Sequence, residues 1–213
     1  MSELFYNIVH TIGSAIFWVS SKPTLLHVNR SRCKGAYILA SNHHSPYDVP
    51  LLIHHTKRKL DFVSTVEVFS NRFAGWFYGN MNAFPLDRSK PDSPTVRTIL
   101  DRLARGRVVA LFPEGGFRKP KDSVINGGRI RPSIGRLAQM ANVPVVPVVV
   151  LDSKVYMSLT AWLPLKRMRY ALIYGDPITL SATLPKQEAA AAMEEDLKAA
   201  FIRLNQELQA AMK

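Results

Sequence analysis

Two stretches of the chain, Val108 to Phe112 and Val145 to Leu151, are apolar at every position and only strand-long. A strand with no polar face must be covered on both sides, the situation of a parallel sheet sandwiched between helices. The neighbouring pattern agrees. Leu25 to Val28, Ala36 to Ala40, Phe62 to Ser64, Ala83 to Leu86 and Tyr170 to Tyr174 read as further strands. Helical spacing occupies 46–55, 66–79, 94–106 and 133–141 between them, and a long helix from Pro185 to Met212 closes the chain, with the proline at its first turn. This alternation predicts an α/β fold with a mostly parallel sheet flanked by helices. Pro147 removes a ladder donor, so an edge, a bulge or a strand beginning is expected there.

The first 21 residues read as an apolar helix preceding an α/β domain at 22–213. Its best apolar stretch, Phe5 to Val19, is broken by Asn7, His10, Thr11, Gly13 and Ser14. That is too short and too polar for a spanning helix. With Glu3 as its only charge it also lacks the basic start of a signal peptide. Leu4, Ile8, Ile12, Ala15, Ile16 and Val19 form one stripe, and Phe17 and Trp18 are expected off it, near the aqueous end. Two readings stand open: a helix packed on the domain, or one lying in a membrane interface with Trp18 at headgroup depth.

At 47% hydrophobic and 21% charged the 213 residues suit a globular chain and exclude a disordered one. The net charge is +12, and it is uneven. Residues 184–213 hold four basic and five acidic side chains, leaving 24 basic against 11 acidic, a net of +13, on residues 1–183. Such a body calls for an anionic partner: a nucleic acid, a membrane face or a phosphate-bearing substrate. Cys33 stands alone, which excludes an internal disulfide and suits a reducing compartment.

Four short elements can carry chemistry. In Asn42-His43-His44-Ser45-Pro46-Tyr47-Asp48, a turn at Ser45-Pro46 can bring the Asp48 carboxylate back onto the His43 imidazole. That would fix the tautomer and leave the other ring nitrogen as a general base. His44 is the rival base, and His43, His44 and Asp48 together are a weaker metal-ligand reading. Phe84-Pro85-Leu86-Asp87-Arg88 delivers an Asp–Arg pair at a strand end, where Arg88 offers a planar fork for phosphate. Phe112-Pro113-Glu114-Gly115-Gly116-Phe117-Arg118 puts one acid beside two glycines and then a cation, a possible anion site that is not a P-loop. Val143-Pro144-Val145-Val146-Pro147-Val148 reads as pocket wall.

In this order the four elements resemble the glycerolipid acyltransferase family of the 1-acylglycerol-3-phosphate acyltransferase type, over residues 24–180. Asn42, His43, Ser45 and Asp48 meet the Asn-His-x-Ser-x-x-Asp block. Phe84, Asp87 and Arg88 meet the second, Phe112 to Gly115 the third, and Val143, Pro144, Pro147 and Val148 the fourth. The resemblance implies that His43, oriented by Asp48, deprotonates an acceptor hydroxyl that attacks an acyl thioester directly. Asn42, Ser45, Asp87, Arg88, Glu114, Gly115, Gly116 and Arg118 would bind substrate. The thioester would be acyl-CoA or acyl-carrier protein as co-substrate, with no further cofactor and no metal, at the cytoplasmic face of a membrane. One departure matters: the third block commonly continues Gly-Thr-Arg, whereas here Gly116 replaces the threonine and the arginine is displaced to Arg118. The aromatics Phe69, Phe73, Trp76, Phe77 and Tyr78 are then expected to line an acyl tunnel or face lipid. Tyr156 to Leu165, with Lys166, Arg167 and Arg169 behind it, reads as an interfacial loop with basic flanks. A basic nucleic-acid-binding module and a metal hydrolase remain the rival classes.

Overall fold

The computed structural model describes residues 3–86, 93–163 and 166–213. Seven strands form one sheet: β1 (Thr24–Leu26), β2 (Tyr37–Ser41), β3 (Leu60–Thr65), β4 (Ala83–Leu86), β5 (Val108–Leu111), β6 (Val145–Leu151) and β7 (Ala171–Tyr174). Their order is β1-β7-β6-β2-β5-β3-β4, and every neighbouring pair is parallel except β6 with β7. The helices are α1 (Glu3–Ser20), α2 (Asp48–His55), α3 (Val66–Ser70), α4 (Arg72–Asn80), α5 (Ser93–Ala104), α6 (Ile134–Ala141) and α7 (Lys186–Ala211).

The apolar runs take the positions their composition demands. β6, β2 and β5 are the three central strands, and alternate residues feed two separate cores. Ile38, Val109, Val145 and Val149 pack with Ile99, Leu137, Leu197 and Phe201 of α5, α6 and α7. Leu39, Val108, Val146 and Val150 pack with Leu51 and Leu52 of α2, Phe17 of α1, and Tyr156 and Tyr170. Pro147 sits where the ladder gives way. Gly175 donates to the Pro147 carbonyl at 2.8 Å and Val145 pairs with Ile178, so three steps on one side oppose two on the other. The missing donor falls at this bulge. A side chain at Gly175 would meet Pro147 Cγ at 2.6 Å, which keeps that turn a glycine.

Local details differ from the periodicity. The strand expected over Leu25 to Val28 ends at Leu26, and Val28–Arg32 turns as a 3-10 helix. The helix expected over 66–79 breaks at Asn71, whose Oδ1 accepts from Phe73 N (2.9 Å) and Ala74 N (3.1 Å) and so caps α4. At the N-terminal edge of the sheet, fully buried Asp61 of β3 is paired with Arg102 of α5 (2.9 Å) and with Arg107. Two of the chain's cations are thus spent on architecture.

The orientation of α1 is a correction. Phe17 does not lie at an aqueous end: it is buried, edge-on to Tyr156 at 5.1 Å and against Trp162 and Tyr170. The helix docks through Tyr6 and Phe17, and Leu4, Ile8, Ile12 and Val19 face outward with Trp18. Aromatic partners far along the chain decide the face, because they offer more buried area than the aliphatic stripe finds there.

The docked side carries buried imidazoles. Ser14 Oγ and His54 Nδ1 lie 2.9 Å apart, and His55 Nε2 lies 2.8 Å from the Tyr170 hydroxyl. Burial, reinforced by His10 and Lys57, holds His54 down at about 4; burial, with His54 and Lys57, holds His55 at about 3. In the unfolded chain both titrate near 6.5, so unfolding takes up protons. Their stabilising effect is complete above pH 6.5 and is lost as the pH falls towards 4. Between pH 7.5 and 5.0 the loss is about 2 kcal/mol from His55, with less from the less buried His54. Urea midpoints should fall over that range. The paired variant His54→Asn/His55→Gln should flatten the dependence, and an unchanged slope would remove these imidazoles as its origin.

Candidate active site

The site stands at the C-terminal ends of the central strands, where ligands bind in open α/β sheets. β2 runs out at Ser41 and delivers Asn42 and His43; β5 runs out at Leu111 and delivers Glu114. Both strand ends are pinned. Asn42 is fully buried, its Nδ2 donating to the Val150 carbonyl and its Oδ1 accepting from Val150 N, each at 2.8 Å. The amide therefore clips the exit of β2 to β6.

The loop after Asn42 folds around Asp48, the first residue of α2. Its Oδ2 accepts from His44 N (2.8 Å) and Ser45 N (3.0 Å) and lies 3.0 Å from His43 Nδ1. Asp48 is fully buried. Ser45 Oγ accepts from Tyr47 N at 3.0 Å, which tightens the same turn. A carboxylate can only accept, so Nδ1 carries the proton and Nε2 presents a lone pair. The ring is clamped from the side: Phe112 stacks on it at 3.8 Å and Phe117 lies at 4.3 Å. His44 lacks such an orienter. Burial lowers its basicity, its Nδ1 is 3.5 Å from the Asn42 amide, and its Nε2 has no partner among the described residues. Among those residues no three His, Cys, Asp or Glu side chains converge on one point, His43, His44 and Asp48 included.

Glu114 completes the frame from beneath. It is buried, and both oxygens are occupied: Oε2 by His43 N (2.7 Å), Oε1 by Ser123 Oγ (2.5 Å) and Val124 N (2.8 Å). The same segment returns to the loop at Arg118, whose N donates to the His43 carbonyl at 2.9 Å. The exposed Arg118 side chain donates from Nη2 to the Glu114 carbonyl at 3.0 Å. Gly115 has φ +69, a left-handed conformation that favours glycine. The positions expected to touch substrate thus divide. Asn42, Ser45 and Glu114 hydrogen-bond to the protein, whereas Gly115 and Gly116 are half-buried and Arg118 is exposed. Asp87, Arg88 and Leu165 lie outside the described residues.

One neighbour was not singled out from the sequence. Arg131 N donates to the Pro113 carbonyl at 2.9 Å, and its guanidinium lies across Gly115. The available signal was the basic run Arg129-Ile130-Arg131 returning soon after the third block, but no motif marks it.

An imidazole held by a buried carboxylate at the C-terminal ends of the central strands can take a proton from a bound hydroxyl. The acyltransferase family model matches residues 23–151, more than half of the chain, and the protein belongs to that family. Among curated proteins it is 29% identical over 184 residues to a 1-acyl-sn-glycerol-3-phosphate acyltransferase of Bacillus subtilis, covering 82% of this chain and 83% of the relative. A Streptococcus pneumoniae protein of the same name is 29% identical over 147 residues, 68% of this chain and 51% of the relative. The fold is shared with the crystal structure of the 1-acyl-sn-glycerophosphate (LPA) acyltransferase PlsC from Thermotoga maritima. The TM-score is 0.70 at 19% identity, covering 93% of this chain and 79% of that one. The resemblance read from the four blocks holds at the level of the family, and the chain is an acyltransferase enzyme.

Proposed function

We propose that the protein moves a fatty acyl group from acyl-CoA or acyl-carrier protein to the free hydroxyl of 1-acylglycerol 3-phosphate, or a related lysolipid, giving phosphatidate. The observation that carries this reading is the His43–Asp48 pair at the strand ends, Nδ1 to Oδ2 at 3.0 Å, with Nε2 in no hydrogen bond among the described residues. The acceptor oxygen attacks the thioester carbonyl carbon as His43 Nε2 takes its proton. The tetrahedral intermediate expels the thiolate, the carbon–sulfur bond breaks, and the imidazolium returns the proton to sulfur. Asp48 keeps the imidazolium paired throughout. Asn42, Ser45 and Glu114 act in this reading by holding the loop rather than by touching lipid.

The substrates are amphiphiles, and the surface has a matching face. Leu4, Ile8, Ile12 and Trp18 of α1 are exposed, Phe73 and Trp76 of α4 are exposed beside them, and Phe5 of α1 lies 4.9 Å from Trp76. Met157, Leu159 and Leu163 extend the face, with exposed Lys166, Arg167 and Arg169 at its margin. Among the described residues no helix is long and apolar enough to cross a membrane. In our reading this patch lies in a bilayer interface and the basic margin attracts anionic headgroups, worth about 1 kcal/mol per cation near the surface.

One experiment tests both. On anionic vesicles carrying lysophosphatidate and supplied with acyl-CoA, the wild type should make phosphatidate and cosediment with the lipid. Ile8→Glu/Ile12→Glu should lose sedimentation and transfer on vesicles but keep transfer to a water-soluble short-chain acceptor. No acylated lysolipid across a panel of acceptors and both donor carriers would refute the activity. Transfer on vesicles undiminished by the two glutamates would refute the docking face.

A further inference from the structure

We infer that Arg131, paired with Arg118, holds the phosphate monoester of the acceptor; the inference rests on the acyltransfer reading above. The turn at Glu114-Gly115 carries both guanidiniums. Arg118 Nη2 is on the Glu114 carbonyl at 3.0 Å. Arg131 lies across the next residue, so close that a Cβ on Gly115 would fall 2.6 Å from its Cζ and 2.7 Å from its Cδ. The φ of +69 favours glycine at 115, and the space left by the missing side chain is where the flexible Arg131 guanidinium lies.

Nothing described neutralises this pair. Neither guanidinium has an ion-pair partner among the described residues, and the Glu114 carboxylate of the same turn faces the interior with both oxygens taken. Two like charges held against adjacent residues of one turn repel each other unless an anion lies between them. The location gives the anion its identity. Residue 118 donates its backbone N–H to the His43 carbonyl and Phe117 packs on the His43 ring, so an oxyanion on this turn is a few bonds from the base. A glycerol 3-phosphate head spans that gap, its phosphate on the arginines and its free hydroxyl towards Nε2. Planar guanidinium forks suit a dianionic phosphate better than an ammonium does. The displaced arginine of the third block is thus half of a two-arginine cradle whose other half comes from residue 131.

The test measures acceptor and donor separately. Arg131→Gln should raise the KM for lysophosphatidate by about tenfold or more, the scale of a lost charge-assisted contact. The KM for acyl-CoA should stay within about twofold of wild type. The preference for lysophosphatidate over uncharged monoacylglycerol, as a ratio of kcat/KM, should collapse, and Arg131→Lys should recover part of it. A binding arm needs no turnover: sn-glycerol 3-phosphate should raise the wild-type melting temperature, and that shift should be lost in Arg131→Gln. An unchanged acceptor KM together with an unchanged glycerol 3-phosphate shift would overturn the proposal. So would a rise confined to acyl-CoA, which would move the arginine to the donor's phosphates. If the wild type acylates no lysolipid yet binds glycerol 3-phosphate through Arg131, the cradle stands and the acyltransfer reading alone falls.

Discussion

Replacing His43 with alanine is expected to lower kcat for acyl transfer by about 10²–10⁴-fold, the range that a positioned general base contributes, with little effect on folding. The small cost to stability follows from the contacts. The His43 backbone donates to Glu114 and accepts from Arg118 N whatever the side chain, so the loop keeps its ties. The variant loses only ring stacking on Phe112 and Phe117 and one contact with Asp48. Asp48→Asn should behave differently. Its amide oxygen can take the place of Oδ2 and accept from His44 N, Ser45 N and the His43 Nδ1–H alike, but the negative charge that pairs the imidazolium is gone. It should therefore lose rate because the imidazolium is no longer paired with a charge, and lose some stability because its amide nitrogen falls at the buried Oδ1 position, which has no partner among the described residues. Because the two residues act as a unit, the double variant should be no slower than His43→Ala by more than a small factor. Single-turnover assays with saturating acceptor check this. Full activity in His43→Ala would remove the base. Multiplicative losses in the double variant would show that Asp48 acts on the reaction by some route other than His43.

The parts of the fold legible in the sequence are those in which one residue's chemistry settles its surroundings. Val108 and Val146 belong to runs with no polar face, so a sheet covered on both sides is the only consistent home for them. His43 and Asp48 are close in sequence, and a short turn suffices to join them. The unreadable parts depend on partners far along the chain. The stripe on α1 was visible, but which side of that helix packs was decided by Tyr156, Trp162 and Tyr170, more than 130 residues away. Likewise the pattern located Asn42 and Glu114 but not their engagement, because Val150 and Val124 receive them only once the sheet has formed. Arg131 is the extreme case. Nothing local distinguishes it from any exposed arginine, and only the missing side chain at Gly115 reveals where its guanidinium lies. The net charge of +13 on residues 1–183 was similarly ambiguous. Some of it balances a buried aspartate of β3, some gathers at the turn beside His43, and some rims the apolar face.

Removing Glu114 is expected to be the most destabilising single change at the site. The carboxylate accepts from His43 N, Ser123 Oγ and Val124 N in a position that is 1% exposed. Glu114→Ala leaves three donors facing a dry void. With about 1–3 kcal/mol for each buried donor left unmade, and Ser123 free to rotate its hydroxyl elsewhere, the two backbone donors predict a loss of about 2–6 kcal/mol. Thermal or urea unfolding measures it. Activity should fall as well, because the carboxylate ties the His43 loop to the turn at 123–126, and a base displaced by even 1 Å loses much of its effect. Glu114→Gln separates this positioning role from direct contact with the acceptor. Glutamine keeps the shape but offers one acceptor oxygen in place of two, and its amide nitrogen must face a donor. A positioning role lowers kcat and the unfolding midpoint together and leaves the acceptor KM within about twofold. A contact role would raise the acceptor KM for lysophosphatidate with the midpoint unchanged. With both oxygens already filled by the protein, the first pattern is expected.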